Sequence, residues 1–161
     1  MPFQIVRFAG GSDSDSVGYS TLGLSRRALV SPTSGRRIRE ELLMLAPEKM
    51  PADTVVSLLL QVGTMVLSSG RPLLRGNVIG PSGPLTPGSA LTALYVTMPV
   101  YFPDDFATFS DATGDVIIVW LAPISSSETD YVARHGWESF EDQLVTHDPD
   151  LIDFQRPTLK L

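Results

Sequence analysis

Two histidines, no cysteine, and eighteen Asp and Glu against twelve Lys and Arg set the chemical repertoire of this sequence. The lack of cysteine removes disulfides, thiolate nucleophiles and Cys-ligated zinc or iron–sulfur centres. His135 and His147 stand twelve positions apart. That is too far for one helical turn to aim both at a single metal, and neither an HExxH run nor a facial-triad spacing surrounds them. His135, directly before Gly136, reads as a helix-end residue favoured by the negative end of the dipole, and His147 as part of an exposed acidic tail. Composition leaves a Ser-His-Asp hydrolase open, yet no G-x-S-x-G elbow marks a nucleophile. The run Asp13-Ser14-Asp15-Ser16-Val17-Gly18 starts like a calcium loop, but Val17 and Leu24 occupy positions where oxygen ligands belong. The spaced glycines of 76–83 lack the Gly-Lys-Ser/Thr of a phosphate cradle. Glu138, Glu141, Asp142, Asp148, Asp150 and Asp153 offer paired carboxylates for acid–base work. The first three, at i, i+3 and i+4 opposite Trp137, Phe140 and Leu144, read more simply as the polar face of an amphipathic helix. No metal and no cofactor is implied, and the expectation is a protein that binds and does not catalyse.

The charge bears on what it binds. A net charge of −6 and a pI near 4.7 argue against nucleic acid as the main partner. The charge is uneven along the chain: residues 1–80 carry nine basic and six acidic side chains, a balance of +3, and residues 81–161 carry three and twelve, a balance of −9. Arg26, Arg27, Arg36, Arg37 and Arg39 flank the loop Ser31–Gly35. They read either as a solvated basic hairpin or as a docking patch for an acidic protein. Tyr101, Phe102, Phe106 and Phe109, with Asp104 and Asp105 among them, are candidate apolar anchors for a partner. They suit equally well a role as a cap on the core.

The elements that must position these groups follow from periodicity and breakers. With 161 residues, 43% hydrophobic and 19% charged, the chain reads as one domain around one core, its last residues, 153–161, less tightly held. Phe3–Phe8, Val17–Leu24 and Ile38–Leu45 read as strands, the last in spite of a Glu40–Met44 stretch that suits a helix on propensity. Ala52–Ser69 is the clearest helix, with Val55, Leu58, Leu59, Val62 and Val66 at helical spacing and Gly70 to close it. Its wide apolar surface predicts burial on more than one side. The apolar run 55–67, interrupted by Ser57, Gln61, Gly63 and Thr64, reads as too short and too polar for the roughly 20 residues of a membrane span. No signal peptide is visible, so the expected setting is the cytoplasm, with no membrane partner. Gly80–Ser89 is loop, and Leu91–Met98 and Asp115–Ile124 are the best strands, the second apolar on both faces. Ser125 and Glu128 have capping-box spacing ahead of a helix to about Arg134, Gly136 supplies a left-handed terminus, and Trp137–Val145 forms a further helix. Asp148–Leu161 reads as a polar tail in which Leu151, Ile152 and Phe154 are available for packing.

Three segments, in order, resemble the suppressor of fused domain family. The first is Tyr19–Ser25, ending in Gly23-Leu24-Ser25, followed by Glu41–Leu45. The second is the 51–76 helix and its exit. The third is the apolar strand 116–124, then Ser127-x-x-Asp130-Tyr131-x-x-x-His135-Gly136, the 137–144 helix, and Asp150-Leu-Ile-Asp153-x-x-Arg156-Pro157. Arg26 departs from the family pattern, in which an acidic residue is common, and no helix precedes the first strand. The resemblance implies an α+β fold: a single domain whose mixed, mostly antiparallel sheet packs against one long and two short helices. Gly23, Leu24, Ser25, Tyr131, His135, Gly136, Asp153 and Arg156 are then structural motif residues. It implies a protein partner and no catalysis. Stand-alone bacterial members are thought to be immunity proteins that neutralise a toxin made by the same cell, and animal members restrain a transcription factor, so a toxin domain and a regulator are the two partners expected.

Overall fold

The computed structural model describes residues 1–9 and 15–161. Gly10-Gly11, a glycine pair that reads in the sequence as the turn ending the first strand, and the start of the calcium-like run therefore lie outside the described residues. In chain order the elements are β1 (Gln4–Ala9), β2 (Ser16–Leu22), β3 (Leu29–Val30), β4 (Arg37–Ile38), β5 (Glu40–Pro47), α1 (Ala52–Ser69), β6 (Val78–Ile79), β7 (Leu91–Thr97), β8 (Thr108–Asp111), β9 (Gly114–Ser125), α2 (Ser126–His135) and α3 (Trp137–His147). The fold is α+β, with a mixed, mostly antiparallel sheet, one long helix and two short ones, as the sequence implies. The chain forms two interleaved compact units, Met1–Leu73 with Met98–Trp120, and Leu74–Thr97 with Leu121–Leu161.

In the first unit the strands run in the order β1-β2-β5-β9, and β8 pairs with β9. All neighbours are antiparallel except β5 and β9, which run parallel from Glu40 opposite Ile117 to Leu43 opposite Trp120. β5 is buried along nearly its whole length, and Leu42, Leu43, Met44 and Ala46 are fully shielded. Burial on both faces is what a parallel-paired strand with a continuous apolar run requires, and it overrides the helical propensity of Glu40–Met44. β3 and β4 form a separate two-stranded hairpin around the arginine-flanked loop.

α1 has the predicted bounds, with Gly70 in the left-handed conformation (φ 66°) at its end. Its buried face is Val55, Leu59, Val62, Gly63 and Val66, set against β5 and β2. Gly63 is needed there because a Cβ would stand 2.5 Å from the ring of buried Phe3. The expectation of burial on several sides is corrected: Val56, Leu58, Leu60 and Leu67 are half-buried and Met65 is exposed. The helix spans 18 residues with a mean hydropathy of 1.4, so by length and composition alone it is long and apolar enough to cross a membrane, contrary to the reading of 55–67. The stripe Val55, Leu59, Val62 and Val66 is nonetheless spent on the sheet.

In the second unit the order is β9-β7-β6, with α2 and α3 packed together and α2 against β7. Ala93, Tyr95, Ile124 and Phe140 form its core, with Tyr131, Trp137 and Leu144 around them. The Tyr95 and Phe140 rings meet edge to face at 5.0 Å. The capping box forms as predicted: Glu128 N–H donates to Ser125 Oγ, and Ser125 N–H donates to the Glu128 carboxylate. Gly136 has positive φ, but its ψ of 163° puts it outside the left-handed helical region expected of it. That region is open essentially to glycine alone, and it lets one residue both end α2 and start α3.

Residues 151–156 are packed rather than loose. Leu151, Ile152, Phe154 and Arg156 are buried. Arg156 Nη1 and Nη2 each donate to the Glu128 carboxylate at 2.8 Å, and Leu159 N–H donates to it at 2.9 Å. The motif arginine therefore closes on the capping-box glutamate, which is fully shielded. Asp153, half-buried, turns the following backbone by accepting from Gln155 N–H.

The interleaving also dissolves the charge contrast between the sequence halves. Asp104, Asp105, Asp111 and Asp115 return to the unit that holds the arginines, which gives it eight basic and ten acidic residues (−2). The other unit has four and eight (−4).

Burial works to raise the Glu128 carboxyl pKa, but the Arg156 guanidinium and the Leu159 and Ser125 N–H groups outweigh it and leave it below its usual value. Arg156→Met strands that carboxylate and is expected to cost about 3–5 kcal/mol in urea unfolding at pH 7, whereas the double variant Glu128→Gln/Arg156→Met recovers more than half of the loss. Because the folded pKa is depressed, the stabilisation is present above the unfolded value near 4.5 and is lost as pH falls through the folded one. The double variant lacks this acid-sensitive component.

Candidate functional site

The arginine-bearing segment is built on Glu41. Its carboxylate accepts from Thr21 Oγ1 (2.5 Å), Gly23 N–H (2.9 Å), Leu24 N–H (3.2 Å), Ser25 N–H (3.1 Å) and Ser25 Oγ (2.7 Å). Thr21 Oγ1 in turn accepts from Leu42 N–H at 2.8 Å, which ties the clasp to β5. Gly23 sits at φ 101°, where a side chain would be strained, and the 3-10 turn Leu24–Arg26 follows. The Gly-Leu-Ser motif and the later Glu-Leu motif are thus two halves of one anion-capped turn.

The five arginines divide. Arg39 donates through Nη1 and Nη2 to Asp111, both at 3.0 Å, and through Nε to the Ser25 carbonyl. Asp111 also accepts from Thr113 N–H and Oγ1. The fork from Arg39, helped by Thr113, holds the Asp111 carboxyl well below the usual range, and Asp111 pushes Arg39 up. Arg39 is therefore occupied within the fold. Arg36 and Arg37 are exposed on the hairpin that Gly35 closes at φ 68°. Arg26 and Arg27 are exposed, and they line a cavity of about 530 Å³ together with Pro2, Gly23 and Leu24 on one side and Thr64, Leu67 and Ser68 of α1 on the other.

Beside Glu41, Glu40 is 1% exposed. One of its oxygens accepts from Leu73 N–H at 2.9 Å, and the other has no partner among the described residues. Burial raises this carboxyl to a pKa of about 7, with a smaller contribution from the Glu41 charge and against the effect of the Leu73 N–H.

The aromatic segment also divides. Phe102 stacks on Phe106 at 4.1 Å with planes 13° apart and tilts against Phe8 at 6.5 Å. Both are half-buried and act as a cap on the sheet. Tyr101 tilts against buried Trp120 at 5.0 Å and keeps 40% of its surface exposed. Asp104 and Asp105 are exposed on the 3-10 turn 104–107. Within residues 98–117 the most exposed apolar side chains are Val100 at 63% and Phe109 at 61%, and Met98 and Ile117 are also exposed. β8, which carries Phe109, pairs only with β9 among the described strands, and all four of its residues are exposed.

In the second unit the polar-face reading of α3 holds for Glu138 and Asp142 but not for Glu141. The Glu141 carboxylate takes two bonds from the Arg75 guanidinium, one of them from Nε at 3.0 Å, and accepts from Tyr95 OH at 2.8 Å and Thr97 Oγ1 at 3.2 Å. Burial opposes ionisation, yet Arg75, Tyr95 and Thr97 keep the carboxyl below its usual value, while the same burial and contact push the Tyr95 hydroxyl up. Arg75 also lies over the Trp137 ring at 4.8 Å. Helical periodicity cannot show this cluster. The available signal was the pair Tyr95 and Thr97, two polar-tipped residues on one face of an otherwise apolar strand. Tyr131 packs on His135 at 4.4 Å and shares a hydroxyl hydrogen bond with Ser139 at 3.0 Å. His135 and His147 are both exposed, at the C-terminal ends of α2 and α3. Among the described residues no group of three His, Asp or Glu side chains is placed to hold a metal ion.

The sequence matches the family model of the suppressor of fused protein (SUFU) over residues 1–157. No curated protein matches the sequence. Among solved structures, a SUFU homologue from Neisseria gonorrhoeae superposes with a TM-score of 0.73 at 14% identity, over 97% of this chain and 87% of that one. The Sufu–Fu complex gives 0.70 at 16% identity, over 97% and 76%. Drosophila Suppressor of Fused gives 0.69 at 18% identity, over 97% of this chain but 42% of that one. At these identities the likeness is one of fold.

The buried Glu40 generates a pH dependence of opposite sign to that of Glu128. The unfolded chain loses this proton near pH 4.5 and the folded protein keeps it to about 7. The Glu40 contribution to stability therefore declines as pH rises through that window, by about 3 kcal/mol. Glu40→Gln is expected to remove the decline, so the variant's advantage over the parent in chemical unfolding grows from pH 5 to pH 8.

Proposed function

Because the chain belongs to the suppressor of fused family, we propose that it is a non-catalytic protein-binding domain that captures its partner on the exposed apolar edge of residues 98–117. The observation that carries this reading is the solvent exposure of Val100, 63%, and of Phe109, 61%, the latter on a strand that pairs on one side only among the described strands. Leaving such groups in water forgoes burial free energy that a docked partner recovers. An extended segment of the partner adds to the open edge of β8 and seats alternate side chains against Phe109 and Tyr101. Asp104 and Asp105 speed encounter and select against acidic partners, while the apolar anchors supply most of the affinity. The Fu-bound neighbour is a family precedent for a protein partner.

The partner we favour is a toxin domain made by the same cell, met in the cytoplasm and neutralised by being covered. The fold likeness to a SUFU homologue from Neisseria gonorrhoeae supports a role like that of bacterial members. Co-expression with each toxin encoded beside the gene tests this. One toxin is expected to lose its lethality and co-purify, and Val100→Asp/Phe109→Asp is expected to weaken that complex at least about 30-fold without lowering the melting temperature. Neither protection nor a complex with any neighbouring toxin overturns the toxin reading, and recovery of a transcription regulator as the bound protein replaces it with that of a regulatory adapter.

A further inference from the structure

We propose that the cavity between the Arg26 turn and α1 is a second docking site, one that takes an acidic peptide segment of the protein partner: a bulky apolar side chain in the cavity, flanked by carboxylates on Arg26 and Arg27. This rests on the protein-binding reading and adds the chemistry of what is bound.

The cavity is open to solvent and has a volume of about 530 Å³, within the roughly 300–1,000 Å³ of ordinary ligand sites. Leu24, 1% exposed, and Leu67 give it an apolar interior. Thr64 and Ser68, one turn apart on α1, contribute hydroxyls that accept or donate. Among the described residues, two guanidiniums line it and no acidic side chain does. In a protein of net charge −6, Arg26 and Arg27 are cations without an ion-pair partner among the described residues, unlike Arg39, Arg75, Arg134 and Arg156.

The carboxylate that caps this turn is already occupied. The five hydrogen bonds accepted by Glu41 face the backbone and hydroxyls of Thr21–Ser25, and Glu41 is 7% exposed. The same clasp fixes the turn that carries both arginines. Arg26 is further set by Gly23: its Nε and Cδ lie 3.6 and 3.8 Å from where a Cβ on that glycine would stand, so its stem lies over bare backbone. Planar guanidinium forks beside an apolar pocket suit carboxylates adjacent to a large hydrophobic residue. The acidity need only be local: the −6 net charge and Asp104 and Asp105 disfavour a partner acidic throughout, whereas a short acidic segment meets Arg26 and Arg27 directly.

The test is a displayed random-decapeptide library panned on the full chain, with Arg26→Gln/Arg27→Gln and Thr64→Trp as counter-targets. Thr64 is exposed on α1, so tryptophan there fills the cavity without entering the core, and unchanged melting of both variants checks their folding. The expected result is enrichment of sequences with Asp or Glu next to Leu, Phe or Trp. Such peptides should bind at least ten-fold more weakly to each variant, and their affinity for the parent should fall steeply with added salt. Enrichment without acidic residues, equal binding to either variant, or no enrichment overturns the proposal. So does binding of dodecanoate to the parent but not to Thr64→Trp in the absence of peptide enrichment, which assigns the cavity to a small amphiphile. If the whole partner still binds the arginine variant at parental affinity, this site fails while the protein-binding reading stands. If the chain has no protein partner at all, that reading fails.

Discussion

Two adjacent glutamates at the start of β5 govern the first unit. Neighbouring residues on a strand point to opposite faces, so Glu40 and Glu41 brace different parts of the chain from one place. Glu41 gathers the backbone of Gly23–Ser25 into an anion-capped turn, and Glu40 holds Leu73, just past the end of α1. Both sit where β5 begins its parallel pairing with β9. The turn decides where Arg26 and Arg27 project, and Ser25 passes the constraint on through its carbonyl to Arg39 and so to Asp111 at the end of β8. The cavity wall and the edge strand therefore both depend on carboxylates that composition alone would count as surface charge.

Where a pattern is local, the sequence disclosed it. The bounds of α1, the Ser125–Glu128 capping box and the buried run of β9 follow from periodicity and from side chains that satisfy backbone groups three or four residues away. Long-range satisfaction of charge was hidden. Glu141 has helical spacing that puts it on a polar face, yet Arg75 and Tyr95, 66 and 46 residues away in sequence, claim it. Arg156 lies in a stretch that looks like a polar tail, yet it supplies the countercharge to Glu128. A buried charge announces itself only through its partner, and no spacing rule links the two.

The site was half legible for the same reason. The basic cluster and the aromatic segment were visible as compositions, but not which members were already in use. Arg39 is consumed by Asp111, and Phe102 and Phe106 by each other, which leaves Arg26, Arg27, Val100 and Phe109 turned outward. The contrast of +3 and −9 between sequence halves was an artefact of cutting a chain that crosses three times between its units. Charge here acts through individual unpaired guanidiniums and carboxylates rather than through opposed halves.

The central claim is that a partner docks on the edge formed by residues 98–117. Amide hydrogen exchange of the full chain, alone and in its purified complex, reads that edge directly. β8 is expected to exchange quickly when free, since one side of it is unpaired among the described strands, and Thr108–Asp111 are expected to become strongly protected in the complex. Protection confined to residues outside 98–117, with β8 exchanging at its free rate in the complex, would contradict the account.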